Sequence, residues 1–577
     1  MKRLSLMALL LVALFVLQTG CDGCREDVDD DAQERIDALS TFVPATTDAA
    51  IIIPEIGAFP QTVDHLFKRL EHFNPQARAP ESALRQNLGL HLSDPESWDQ
   101  AGFDLDGSLM ISMVGSRPVL TAHIDDSNAF ETYIVGRLRQ MFDTQTSIER
   151  QDYGDRRFRT SGTGPSDDMA WFIDGHTVVL VMPPADTLDV FATGSAASVA
   201  TELGGVDEDN ALRTSPAFQD FRRGIDTDYP ISFFVDVNRY LERDIDESDS
   251  LGMSGLNDLI RSAAQWSQDN AGGAGFGLKT DAETIQFRGY AAGDEEILAQ
   301  AAEAYQAEAD LDWAHFLTDQ TTLATRTSFD LSSTVETYLE SLPDDHRRNI
   351  QREMTEMGRD LDMDFDDDIL GAFSGHTQFI FYGFGEGISR VATALMGGQI
   401  ERGIQNGLAA TRLALNVHFD DIDKVEALLG VAEEHVAGLY HHRNSATAED
   451  DDNGDEDNGD DAQSTPIHSK IHGNTFSLFT AAIDADMADD LIAGESGATP
   501  LADSDHPLGQ RFATDDALNG LYLNFSNLRS NMRNIPLLAG YTSTIDALHE
   551  LMITAEVEDH GIYLDATLQF SDPLEDN

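Results

Sequence analysis

His123-Ile-Asp-Asp-Ser-Asn-Ala-Phe-Glu131 and His418-Phe-Asp-Asp-Ile-Asp-Lys-Val-Glu426 are two versions of one phrase, 295 residues apart. Each closes an apolar run that reads as a strand and opens a stretch with helical spacing. Around this pair the chain repeats itself in order. Before it, Phe59-Pro-Gln-Thr-Val-Asp-His-Leu66 parallels Leu331-Ser-Ser-Thr-Val-Glu-Thr-Tyr338, and Gly107-Ser-Leu-Met-Ile111 parallels Gly375-His-Thr-Gln-Phe379. After it, Ile173-Asp-Gly-His-Thr-Val-Val-Leu180 matches Ile471-His-Gly-Asn-Thr-Phe-Ser-Leu478, and Phe234-Val-Asp-Val-Asn238 matches Tyr522-Leu-Asn-Phe-Ser526. The last pair is Thr284-Ile-Gln-Phe287 with Gly561-Ile-Tyr-Leu564. Six collinear landmarks predict two homologous repeats, residues 45–293 and 319–572. The stretch between them, 294–318, is rich in Ala, Glu and Gln and reads as a helical connector.

The offset between copies rises from 268 at Gly107 to 295 at His123, so an insert lies at about 385–410 of the second copy. A second insert, 448–463, is dominated by Asp, Glu, Asn and Gly and is too polar to bury anything. Alternation at Ile562, Leu564, Ala566 and Leu568 predicts a half-buried strand behind the turn Asp559-His-Gly561. Phe379-Ile-Phe-Tyr382 and Ile231-Ser-Phe-Phe-Val235 read as more buried strands, and helices are expected at 129–141 and 425–436. Hairpins outnumber parallel crossovers. The fold class is therefore α+β, two repeats of mainly antiparallel sheet with helices packed on one side.

The 577 residues exceed one ordinary core, and a hydrophobic fraction of 41% suffices to fold them. Asp and Glu number 103 against 37 Lys and Arg, a formal charge of -66. Such a body is repelled by nucleic-acid phosphates and by anionic headgroups, so neither is expected as a direct partner of the folded surface. Lysine is scarce: only Lys2, Lys68, Lys279, Lys424 and Lys470 occur. An acidic, lysine-poor surface suits a saline medium, where a Debye length of a few ångströms suppresses carboxylate repulsion. The melting temperature is expected to rise with NaCl, and one indifferent to salt would refute this reading.

Metal candidates begin with the repeated phrase. On a strand His123 and Asp125 share a face, as do His418 and Asp420, and imidazole with carboxylate can ligate a divalent ion. Two ligands are too few for a site. A capping box explains more residues, with Asn128 and Glu131, and Asp423 and Glu426, starting the helices. In the acidic insert, Asp451, Asn453 and Asp460 approach a calcium-loop pattern, but Glu449 stands at its first position and Asp460 at its twelfth. Gly272-Gly-Ala-Gly-Phe-Gly-Leu-Lys279 lacks the Gly-Lys junction of a phosphate loop, because Leu278 intervenes. Gly383-Phe-Gly385-Glu-Gly387 lacks the dinucleotide spacing, and neither Gly-x-Ser-x-Gly nor His-Glu-x-x-His occurs. No cofactor and no catalytic activity is expected.

The amino terminus carries Lys2 and Arg3, an apolar run from Leu4 to Leu17, and Gln18-Thr19-Gly20-Cys21. The run is shorter than the ~20 residues needed to span a bilayer. It resembles a bacterial lipoprotein signal, with Gln18 where that family usually has Leu. The resemblance implies removal of residues 1–20, diacylglycerol on Cys21, and a lipid-anchored polar tether over 21–44. Membrane attachment then rests on the lipid, and Cys24 has no cysteine partner left in the chain. The early Phe42-Val-Pro-Ala-Thr-Thr-Asp-Ala-Ala50 and Ala101-Gly-Phe-Asp-Leu-Asp-Gly107 resemble an uncharacterised family of bacterial exported proteins with a long mixed α/β repeat. The expectation is a cell-envelope protein of non-catalytic binding or structural type, enclosing a hydrophobic ligand or docking an envelope protein. The alternative is an envelope hydrolase with a dispersed site.

Overall fold

The computed structural model describes residues 30–571, apart from longer gaps at 79–89, 184–194, 240–270, 300–312, 385–409 and 425–466 and several shorter ones. The signal, Cys21, nearly all of the first insert, the whole acidic insert and most of the connector lie outside the described residues. The chain divides into two units, one of Gly23–Ala299 with Glu558–Asn577 and one whose described part falls in Gln300–Val557.

Helices of the first unit are α1 (Asp30–Ser40), α2 (Phe59–Glu71), α3 (Pro95–Gln100), α4 (Ser127–Met141), α5 (Ala196–Gly204) and α6 (Pro216–Gly224). Its strands are β1 (Ala49–Ile53), β2 (Leu109–Val114), β3 (Arg117–His123), β4 (Glu149–Tyr153), β5 (Arg156–Ser161), β6 (Met169–Asp174), β7 (Thr177–Val181), β8 (Ile231–Asp236), β9 (Ala271–Thr280) and β10 (Thr284–Gly293). The second unit holds α7 (Asp344–Leu361), α8 (Ala485–Ala493), α9 (Pro507–Thr514) and α10 (Phe525–Arg533). Its strands are β11 (Leu323–Ser328), β12 (Phe373–Phe384), β13 (Thr411–Phe419), β14 (Ile467–His472), β15 (Thr475–Thr480), β16 (Gly520–Asn524) and β17 (Leu548–Glu558). The last strand, β18 (Gly561–Phe570), belongs to the first unit, where it pairs with β10 from Thr284↔Gln569 to Ala292↔Gly561.

The first sheet runs β4-β5-β6-β7-β3-β2-β1-β8-β9-β10-β18. The second runs β14-β15-β13-β12-β11-β16-β17. Every one of these pairings is antiparallel, and the class is α+β.

The expectation of helices on one side is corrected in the first unit. Val178 and Leu180 of β7, with Met169 and Trp171 of β6, pack against Phe130, Ile134 and Leu138 of α4. Their neighbours Val179, Val181, Ala170 and Phe172 face the other way, against Ala196, Val199 and Leu203 of α5. A strand such as Thr-Val-Val-Leu-Val, buried at every position, has no solvent side and needs a layer on each face. The polar tether is corrected too. Its second half is α1, whose Ile36 and Leu39, followed by Val43, are fully buried against Phe218 and Phe234. Helical spacing of Ala32, Ile36 and Leu39 inside an acidic segment creates that apolar stripe.

The glycines of β9 have a packing role. A Cβ on Gly273 would lie 1.6 Å from the Ala217 carbonyl oxygen of α6, and one on Gly275 would lie 1.9 Å from the Phe233 oxygen. Gly277 would meet the Tyr229 ring. The alternate glycines bring α6 down onto the sheet, and the segment that mimics a phosphate loop is a strand. Gly273→Ala is expected to cost about 1–3 kcal/mol through overpacking. Gly289→Ala, whose nearest neighbour would be 3.4 Å away, should leave stability nearly unchanged. Urea unfolding of both variants checks the contrast.

Candidate functional site

In the second unit β17 alternates, burying Leu548, Glu550 and Met552 and leaving His549 half-buried. The β16–β17 register sets Glu550 opposite Asn524. Above them α9 begins at Pro507, a residue suited to the first helical position because it lacks an N–H. Glu550 is fully buried. Its Oε2 accepts from the Leu508 N–H at 2.8 Å, and its Oε1 accepts from the Tyr522 hydroxyl at 2.9 Å and lies 2.9 Å from His506 Nδ1. Asn524 places its Nδ2 3.1 Å from His506 Nε2, while its Oδ1 accepts from the Asn527 N–H at 2.9 Å at the start of α10. The His549 ring centre is 5.6 Å from that of His506.

Burial alone would push the Glu550 carboxyl up. The bonds from His506, the Leu508 N–H and Tyr522 outweigh it and hold the group below its ordinary value. The Tyr522 hydroxyl is pushed far up, first by burial and then by the adjacent carboxylate. An ionised carboxylate at a helix N-terminus is also favoured by the helix dipole.

His506, His549 and Glu550 offer ligand atoms within 4.8 Å of one another, a donor set that suits zinc. These three residues would hold such an ion only in competition with the Leu508 N–H and the Tyr522 hydroxyl, which already engage the Glu550 carboxylate. As the side chains stand, both Glu550 oxygens are engaged, and the cluster acts as a clamp on the first turn of α9. The signal in sequence is Leu-His-Glu-Leu-Met, an alternating strand with a charge at a core position. Its partner His506 is 44 residues away, too far for a spacing motif.

The predicted metal candidates are not brought together. His123 Nδ1 accepts from the Ser108 N–H at 3.1 Å, and burial holds its imidazole below the ordinary value. Asp125 is exposed. His418 lies edge-on to His376 with ring centres 6.2 Å apart, and Asp420, Asp451, Asn453 and Asp460 lie outside the described residues. The capping expectation shifts by two residues: Asp126, not Asn128, accepts from the Asn128 and Ala129 N–H groups at 2.8 and 3.1 Å, and Glu131 instead pairs with Arg159. In the second phrase Asp421 accepts from the Lys424 N–H at 3.4 Å. Sequence reasoning also missed a buried polar row, in which Asn416 donates to Gln378 at 3.0 Å, Ser477 donates to Asn416 at 2.7 Å, and His472 lies 2.8 Å from Ser477.

No model of a known protein family matches the chain, and no curated protein matches it. Two solved structures are similar in part. Crystal form III of TP0453 is 9% identical, covers 48% of this chain and 88% of its own, and has a TM-score of 0.23. Crystal form I is 8% identical, covers 47% and 88%, and has the same TM-score of 0.23.

Proposed function

We propose that the chain is a lipid-anchored cell-envelope protein of non-catalytic binding type, built from two copies of one α+β fold. The observation that carries the duplication is strand order: β6-β7-β3-β2-β1-β8-β9 and β14-β15-β13-β12-β11-β16-β17 are the same sequence of roles. Backbone bonds recur with it. Leu212 N–H donates to Val43 O at 2.7 Å, as Leu501 does to Leu317 at 2.8 Å. Ile124 donates to His176 at 2.8 Å, as Phe419 does to Asn474 at 2.9 Å. Asp236 and Asn524 end corresponding strands and accept from backbone N–H groups three residues on, at Arg239 and Asn527.

The binding reading is supported by what the ionisable groups do. At the register position of Glu550 the first unit has Gly273, so the His506–Glu550 clamp is not a shared catalytic device. A half-buried aromatic ladder favours an apolar ligand or a protein partner: Phe276 stacks between Phe233 and Phe287, with ring centres 5.2 and 5.0 Å away. Among the described residues no helix is long and apolar enough to cross a membrane.

Gentle detergent release followed by native mass spectrometry tests the reading. A retained lipid or partner is expected. Turnover of simple ester or phosphoester substrates by the purified chain, abolished by His506→Ala, would replace it with the hydrolase.

A further inference from the structure

Strands β8, β9, β10 and β18 of the first unit carry an apolar side that the described helices leave half-exposed. Ile231, Leu278, Phe287 and Ala566 stand in register across these four strands, and Phe233, Phe276, Gly289 and Leu564 form the next row. A third row, from Val235 to Ile562, is also apolar. All of these residues are half-buried, and among the described residues none joins the apolar cores under α1, α4, α5 and α6. The opposite side is the covered one. There Gly273, Gly275 and Gly277 admit α6 and the Tyr229 ring, and Phe234 and Tyr290 share a core with Ile36 and Leu39 of α1. Helix α2 reaches the apolar side at the β9–β10 turn, where Thr280 donates to the Thr62 carbonyl at 3.1 Å and the Arg69 guanidinium lies 4.3 Å from the Phe570 ring centre.

The rows hold no side-chain donor or acceptor, and the backbone beneath them is paired strand to strand, so the face has nothing to orient a polar ligand. On a flat surface a single acyl chain keeps one side in water. An amphipathic helix does not, because it turns its own polar side outward. The width agrees: four strands at ~4.8 Å spacing present about 14 Å, against ~10–12 Å for a helix with its side chains. Charge decides among helices. A second copy of this chain, or an acidic helix, is repelled by a body at -66, whereas a basic polar side is attracted. Asp281 and Glu283, both exposed, stand at the β9–β10 turn where the rows end.

We propose that this face docks one amphipathic helix of a partner protein, with the helix's apolar side on the Phe233–Phe276–Phe287 ladder and its basic side toward solvent. The Phe276 ring centre lies 5.2 Å from that of Phe233 and 5.0 Å from that of Phe287, a rigid platform that leucine side chains can straddle. The proposal rests on the binding reading above and narrows its occupant to a protein helix.

Fluorescence anisotropy of the Cys21→Ser chain, at constant ionic strength, with a labelled peptide of about 18 Leu and Lys residues set at the helical period, tests it. Saturable binding is expected. A peptide of the same composition in scrambled order, and one with Glu for every Lys, should each bind at least tenfold more weakly. Phe276→Thr should weaken the ordered peptide at least tenfold, and Leu564→Thr, on β18, at least threefold. A photo-reactive group on the apolar side of the peptide should attach to β8, β9, β10 or β18, a readout that needs no variant. Equal binding of ordered and scrambled peptides, unchanged affinity in both variants, attachment elsewhere, or no binding would each overturn the proposal. Capture of phosphatidylcholine vesicles where the peptide fails would overturn it too, because the occupant would then be lipid. A lipid retained by the native chain without peptide binding would likewise overturn the helix while leaving the binding reading in place.

Discussion

Asp168→Ala is expected to destabilise the first unit by about 3–5 kcal/mol, because Arg117 and the Ala196 N–H lose a shared carboxylate. Arg117, at the start of β3, has a fully buried side chain, and its Nη2 lies 2.7 Å from Asp168 Oδ1. The other Asp168 oxygen accepts from the Ala196 N–H at 2.6 Å, at the start of α5. One carboxylate therefore neutralises the guanidinium and caps a helix. Arg117 Nη1 also donates to the Met182 carbonyl at 3.2 Å. The reverse change, Arg117→Met, should cost less, because Asp168 keeps 18% of its side chain exposed and water can reach it. A double variant with Leu at 168 and Met at 117 should recover most of the loss. Hydrogen exchange on β3, β6 and β7 reads the effect in this unit alone. Equal stability of Asp168→Ala and the parent would mean that the pair contributes nothing.

Glu550→Ala is the counterpart in the second unit, again with an expected loss of about 3–5 kcal/mol, since the Leu508 N–H, the Tyr522 hydroxyl and His506 lose one common acceptor. Glu550→Gln keeps an acceptor and should cost about 1–3 kcal/mol. The pH dependence has a definite sign. Glu550 titrates below its ordinary 4.5 when folded, so its contribution is fully present above that value and is lost as pH falls through the lower folded one. In acid titrations from pH 6 downward, the stability gap between parent and Glu550→Gln should therefore close. A gap that widens towards low pH would contradict the assigned direction. The comparison must be differential, because protonating the many other carboxylates of a chain at -66 relieves repulsion and acts in the opposite sense.

Strand landmarks were the most legible part of the chain. Gly107 and Gly375, His123 and His418, and Phe234 and Tyr522 all fall in or next to strands of corresponding rank, because period-two apolar patterns and turn glycines are local. What depended on the third dimension was not legible. Helix α1 hides its buried stripe of Ala32, Ile36 and Leu39 among Asp, Glu, Arg and Gln, and charge count masks it. Layers on both sheet faces followed from unbroken runs in β6 and β7, a signal present in the sequence but compatible with a single buried layer. The helix after His123 was expected, yet its cap is Asp126 because the chain turns at the Asp pair and not beyond it. Glu550 and His506 become informative only when α9 and β17 are folded over them.

The proposed protein is an acidic two-copy body held at a membrane by lipid on Cys21. The most direct test is the mass of the amino-terminal peptide after export in a bacterium. A chain beginning at Cys21, with diacylglycerol on sulfur and the signal removed, is expected. A mature chain that keeps residues 1–20, or that carries an unmodified thiol at position 21, would contradict it.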